Sequence, residues 1–127
     1  MSGATEVSLE QRLDLLEQGR VIDREVRTVV ERLTERVSVA LGRSLDTPTG
    51  HMFVTHLAMA LTRARAGEAL SETPPGLEEE LKDRPEEIAL ATEILAEANN
   101  ALGLDLPETE VFLVAAYLGA LNKGAGL

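Results

Sequence analysis

From Leu13 to Leu41 the apolar residues return every three or four positions, with one longer step and one adjacent pair: Leu13, Leu16, Ile22, Val26, Val29, Val30, Leu33, Val37 and Leu41. That spacing lays them along one face of an α-helix, whereas a strand would require alternation with polar residues. Ser8 followed by Gln11 reads as a capping box that opens the segment, and Gly42 is the residue type that closes one. The pattern therefore predicts one long first helix, bent at Gly19. An apolar face of this length has to be covered by other helices, so it constrains the rest of the chain.

The remaining segments have the same character. Thr47 and Pro48 suit the cap and first turn of a second helix that carries HMFVTHLAMALTRARA to Gly67, and the stretch SETPPG from Ser71 to Gly76 is a loop. A short acidic helix is expected from Leu77 to about Lys82. Pro85 then opens a fourth helix with Ile88, Ala91, Leu95, Ala98 and Leu102 on one side, and Gly103 stops it. The last helix is expected from Pro107, with Glu108 and Glu110 in its first turn, where carboxylates meet the exposed amides of a helix start favourably. From Val111 to Leu121 it is apolar almost all round, which predicts a central helix gripped on more than one side. Phe53, Phe112 and Tyr117 are the only aromatic residues, and strands find little support. The fold class is all-α, a bundle of five helices with a short third one. Residues 1–7 read as a flexible N-terminal arm, 8–122 as a single helical domain and 123–127 as a flexible C-terminus.

Composition narrows the function classes. With 127 residues, 44% of them hydrophobic, one ordinary core can form without metals or disulfides. The absence of cysteine excludes a disulfide framework, a thiolate zinc site and a cysteine nucleophile. No basic region followed by an apolar run marks the start, and no stretch approaches the roughly 20 apolar residues of a membrane span, so a cytoplasmic protein without a membrane partner is expected. A net charge of −10 opposes direct nucleic-acid binding, which depends on basic groups that release counterions from phosphates. The acidity is concentrated between 77 and 110, where Glu78, Glu79, Glu80, Asp83, Glu86, Glu87, Glu93, Glu97, Asp105, Glu108 and Glu110 face only Lys82 and Arg84. This reads as a solvated acidic face, or alternatively as a docking surface for a basic partner.

One residue offers a chemical handle. In helical geometry His56 shares a face with Met52, Met59 or Ala60, and Arg63, while Phe53, Leu57 and Ala64 line the adjacent apolar stripe. It lies at the seam between core and solvent, where a histidine either packs and hydrogen-bonds or does chemistry. With a usual pKa near 6.5 an imidazole is largely neutral at pH 7, which leaves a nitrogen free to attack phosphorus or accept a proton. Arg63, two turns along, could neutralise an attached phosphoryl group. His51 precedes His56 by five residues and points elsewhere around the helix, so no histidine metal pair is expected, and His51 reads as a first-turn surface residue. No glycine-rich phosphate loop or nucleophile elbow is present, the carboxylates sit in solvated runs, and neither a cofactor nor a self-contained enzyme is implied.

Two stretches, His56-Leu-Ala-Met-Ala-Leu-Thr-Arg63 followed by Gly67, and Leu106-Pro-Glu-Thr-Glu110-Val-Phe-Leu-Val-Ala-Ala-Tyr117-Leu-Gly-Ala, resemble the diagnostic segments of PTS regulation domains, or PRDs. The resemblance spans roughly residues 10–122 and includes helix order and the loop after the second helix. It implies a five-helix regulatory bundle controlled by the sugar phosphotransferase system. By this resemblance His56 matches the first of two family phosphoacceptor histidines, and Arg63 matches the arginine that usually follows it. At the second position, seven residues after Glu110, stands Tyr117, whose phenol cannot replace a phosphohistidine. Tyr117 then reads as a helix-core tyrosine with a hydrogen-bonded hydroxyl, and the family fold would bring its helix against that of His56.

The resemblance further implies a histidine phosphocarrier protein or a sugar-specific phosphotransferase component as donor, a homodimer, and action through an unknown effector protein by a module that stands alone. Two functional readings stay open: a switch set by phosphorylation of His56, and a degenerate, non-phosphorylated bundle serving as a binding, scaffold or dimerisation protein. A small metabolic enzyme would require a deep pocket where polar groups converge.

Overall fold

A computed structural model describes residues 7–125 of the chain, with side chains through residue 122. Most of the predicted N-terminal arm and the last two residues lie outside the described residues. Six helices follow one another: α1 (Leu9–Gln18), α2 (Arg24–Leu41), α3 (Pro48–Arg65), α4 (Leu77–Leu81), α5 (Pro85–Leu102) and α6 (Glu108–Ala125). No strand occurs among the described residues, in keeping with the all-α expectation.

The count is six because the predicted first helix is two. Ser8 opens α1 with the full reciprocal capping box, its hydroxyl accepting from the Gln11 N–H and its own N–H donating to the Gln11 side chain. The chain then leaves helical geometry after Gln18, and Arg20 takes a left-handed φ of 61°, which side-chain-bearing residues rarely adopt. Ile22, in phase with the helical pattern, lies in the break itself and is buried as a plug beneath it. Asp23 restarts the helix by accepting the Val26 N–H at 2.8 Å, an N-cap typically worth about 1 kcal/mol. A bend has thus become a turn with its own cap.

The four helices of 18 residues close a ring. α2 packs on α3 and α5, and α6 packs on the same two from the other side. Between them lie Val30, Leu33 and Val37 of α2, Phe53, Leu57 and Leu61 of α3, Ile94 and Leu95 of α5, and Val114 and Leu118 of α6, all buried. Each large apolar side chain in such a place contributes roughly 1.5–3 kcal/mol. α4 adds a third neighbour to α6, while α1 lies across α2 and α3. The all-round apolar pattern of α6 is explained by that central position.

The join between α2 and α3 positions the second long helix. Gly42 ends α2 in the left-handed region, at φ 67°. Thr47 then caps α3 through the Gly50 N–H, and Pro48 occupies the first turn. Gly50 is required by contact: a Cβ there would fall 1.9 Å from the Leu45 carbonyl oxygen. His51, expected at the surface, is buried with 7% of its area exposed, because its Nε2 meets the Asp46 carboxylate at 2.6 Å. The same Asp46 oxygen accepts the Leu9 N–H at 3.1 Å and so ties the start of α1 to this join.

Candidate functional site

α3 turns two faces to its surroundings. Phe53, Val54, Leu57, Ala58, Ala60 and Leu61 enter the core, while Met52 and Met59 are exposed on the outer side. His56 and Arg63 lie between these faces and are half-buried, as the seam position predicts. α6 supplies the opposing residues. Its Tyr117 ring stacks on the His56 imidazole with centroids 4.7 Å apart and planes inclined by 29°. Its Glu110 carboxylate meets Arg63 Nη2 at 3.4 Å.

These two contacts share one register. His56 and Arg63 are seven residues apart on α3, and Glu110 and Tyr117 are seven apart on α6, close to two helical turns or about 10.5 Å. Because His56 faces Tyr117 and Arg63 faces Glu110, the helices run antiparallel along this seam. Side chains on a helix lean toward its N-terminus, so Arg63 leans back toward His56.

Burial sets the electrostatics. It pushes the His56 pKa below the usual histidine value; the nearby Glu110 carboxylate opposes that shift and the Arg63 guanidinium reinforces it. The ring is therefore neutral at pH 7 and keeps a nitrogen lone pair. His56 Nε2 is closed from solvent and has no hydrogen-bond partner among the described residues. Tyr117 is half-buried at the edge of the core rather than within it, with its ring committed to the imidazole.

Glu110 is the residue that sequence reasoning missed. Placed among the acidic residues of a solvated face, it is instead fully buried. Its Oε2 accepts from both Arg63 and the Leu70 backbone N–H, the latter at 3.2 Å, and its Oε1 has no partner among the described residues. The available signal was its phase: Glu110, Val114, Leu118 and Leu121 follow one another at four, four and three residues, and all four are buried. Next to it, Thr109 bonds Thr73 at 2.8 Å, so the loop of residues 66–76 is fastened to α6 twice.

Elsewhere the chemistry is sparse. No group of three His, Asp or Glu side chains among the described residues could hold a metal ion. A groove of about 520 Å³ lined by Leu41, Glu86, Leu90, Glu93 and Leu118 lies between α2, α5 and α6, away from His56. Among the described residues no helix is long and apolar enough to cross a membrane.

Residues 30–121 match the family model of the PRD domain. The match covers well over half of the chain and includes His56, Arg63, Glu110 and Tyr117; α1 and the first turns of α2 precede it. Neither curated proteins nor solved structures give a match.

Proposed function

The chain belongs to the PRD domain family, whose modules are regulatory rather than catalytic, and we propose that phosphoryl transfer to His56 sets its interactions with other proteins. The observation that carries this reading is a neutral, half-buried imidazole at the seam between the core and outer faces of α3, with an arginine two turns further along on the same side. Nε2 is shut beneath neighbouring side chains, so Nδ1 is the nitrogen an outside donor would reach. The donor in this reading is a phosphohistidine of the histidine phosphocarrier protein or of a sugar-specific phosphotransferase component. The Nδ1 lone pair forms the new N–P bond as the donor's P–N bond breaks, and that electron pair returns to the donor ring. The Nε2 proton stays on the covered His56 ring, and the departing donor imidazole takes its proton from solvent.

The phosphoryl group carries about −1.5 to −2 charges on a seam between two helices, if phosphohistidine resembles a phosphoester in this respect. Such a change biases packing or a dimer interface between two arrangements. The proposal therefore includes a cytoplasmic, single-domain module spanning residues 8–122 that forms a homodimer and acts through an effector protein. Incubation with phosphoenolpyruvate and the upstream phosphotransferase proteins is the test. An acid-labile phosphoryl mass increase, absent from His56→Ala, is expected, and no such increase rejects the reading.

A second reading rests on Tyr117. Its ring covers the imidazole and stands where the family has a second acceptor histidine, which suits a bundle that binds a partner without being phosphorylated. Partner binding by His56→Ala and His56→Asp separates the two: a scaffold leaves both unchanged, whereas a switch makes the charged variant differ from the neutral one.

A further inference from the structure

We infer that Glu110 is a positioning residue that holds Arg63 in the resting state and that, once His56 becomes negatively charged, Arg63 leaves it and the loop of residues 66–76 loosens. The inference rests on His56 as the switch residue and adds the element that reads it. Arg63 is half-buried and its only carboxylate partner among the described residues is Glu110, engaged through a single Nη2 contact of 3.4 Å. Arginine normally grips a carboxylate by a two-pronged fork at 2.7–2.9 Å. Here the fork is not used: Arg63 Nε and Glu110 Oε1 are both closed from solvent and both lack a partner among the described residues. The pair is thus made but loose, and the guanidinium has donors to spare.

A phosphoryl group on His56 would offer that guanidinium more charge than one carboxylate, in three acceptor oxygens, on the side toward which Arg63 leans. Turning the guanidinium toward the new group draws Nη2, already at 3.4 Å, away from Glu110. The carboxylate left behind is fully buried, and the Leu70 N–H is its sole remaining partner among the described residues. A buried charge without a counter-ion is unstable, and the segment bonded to this one is the loop, at Leu70. Turning toward water breaks the Leu70 bond and leaves Thr73–Thr109 as the loop's remaining side-chain tie to α6. Charge at α3 is thereby converted into disorder of the segment that joins α3 to α4.

Hydrogen exchange by mass spectrometry on the full chain tests this without any donor protein. His56→Glu places a carboxylate at the switch position and His56→Gln a neutral group of similar size. Peptides covering 66–76 are expected to exchange about tenfold faster in His56→Glu than in His56→Gln, the change that follows loss of one charge-assisted hydrogen bond. Peptides from α2 and α5 should be unchanged, which excludes general unfolding. Arg63→Met should loosen the loop by itself, and His56→Glu should then add nothing. Equal loop exchange in His56→Glu and His56→Gln overturns the inference even where wild-type protein takes up an acid-labile phosphoryl group. Loosening in His56→Glu alongside wild-type protein that takes up none keeps this relay and removes phosphorylation as its trigger.

Discussion

The imidazole of His56 lies against the phenol of Tyr117, 4.7 Å between centroids, so a residue of α6 covers one face of the ring. Removing that ring exposes the imidazole and relieves the burial that holds its pKa down. NMR titration of the His56 ring should give a value below about 6.5 in the wild-type protein and one closer to 6.5 in Tyr117→Ala. Tyr117→Phe, which keeps the stack, should titrate like the wild type.

The same burial makes stability depend on pH, with a sign that follows from which state binds the proton. The unfolded chain takes a proton at His56 near the ordinary value of about 6.5, and the folded chain takes it only at lower pH. This contribution therefore leaves stability untouched above about pH 7.5 and subtracts from it as pH falls through 6.5, levelling off below the folded-state value. Urea melts of the wild type and His56→Gln at pH 8 and pH 5 check it. The difference between the two proteins should move in favour of His56→Gln at the lower pH.

Arg63 and Glu110 should respond unequally to mutation. Arg63→Met leaves a fully buried carboxylate without its cation, a situation that costs about 3–5 kcal/mol when a buried pair is broken from one side. Glu110→Gln leaves an arginine whose side chain retains 27% exposure and can turn to solvent, and its amide oxygen can still accept the Leu70 N–H, so a loss of about 1–2 kcal/mol is expected. The double variant should be more stable than Arg63→Met alone. Chemical denaturation of the three variants measures the coupling.

The legible parts of this fold were those decided locally. Ser8 with Gln11, Thr47 with Pro48, Gly42, Pro85 and Gly103 act within a turn of their own position, and each ends or begins a helix where its type predicts. Ile22 misled because an apolar residue in helical phase serves equally as part of a helix face or as a plug beneath a turn, and the choice is made by the Asp23 cap and the core under Ile22. His51 and Glu110 misled for another reason. Their burial depends on Asp46 and on Arg63 with Leu70, partners set by tertiary packing that no spacing within a helix reveals. His56 was placed correctly at its seam, and the stack with Tyr117 had support only from the family resemblance.

Gly50 gives the most direct check on the geometry that presents His56. It lies in the first turn of α3, where Leu45 crosses so closely that an added methyl would sit 1.9 Å from the carbonyl oxygen and 2.6 Å from its carbon. Both are backbone atoms, so a side-chain rotation cannot relieve the clash. The backbone must move, and the same join carries the His51–Asp46 contact and the Leu9 anchor of α1. Gly50→Ala is expected to cost about 3 kcal/mol, the upper range for overpacking, despite alanine's better helix propensity. A thermal melt measures the loss. Amide exchange should place it first at α1 and the 42–47 join, with α5 and α6 protected until global unfolding.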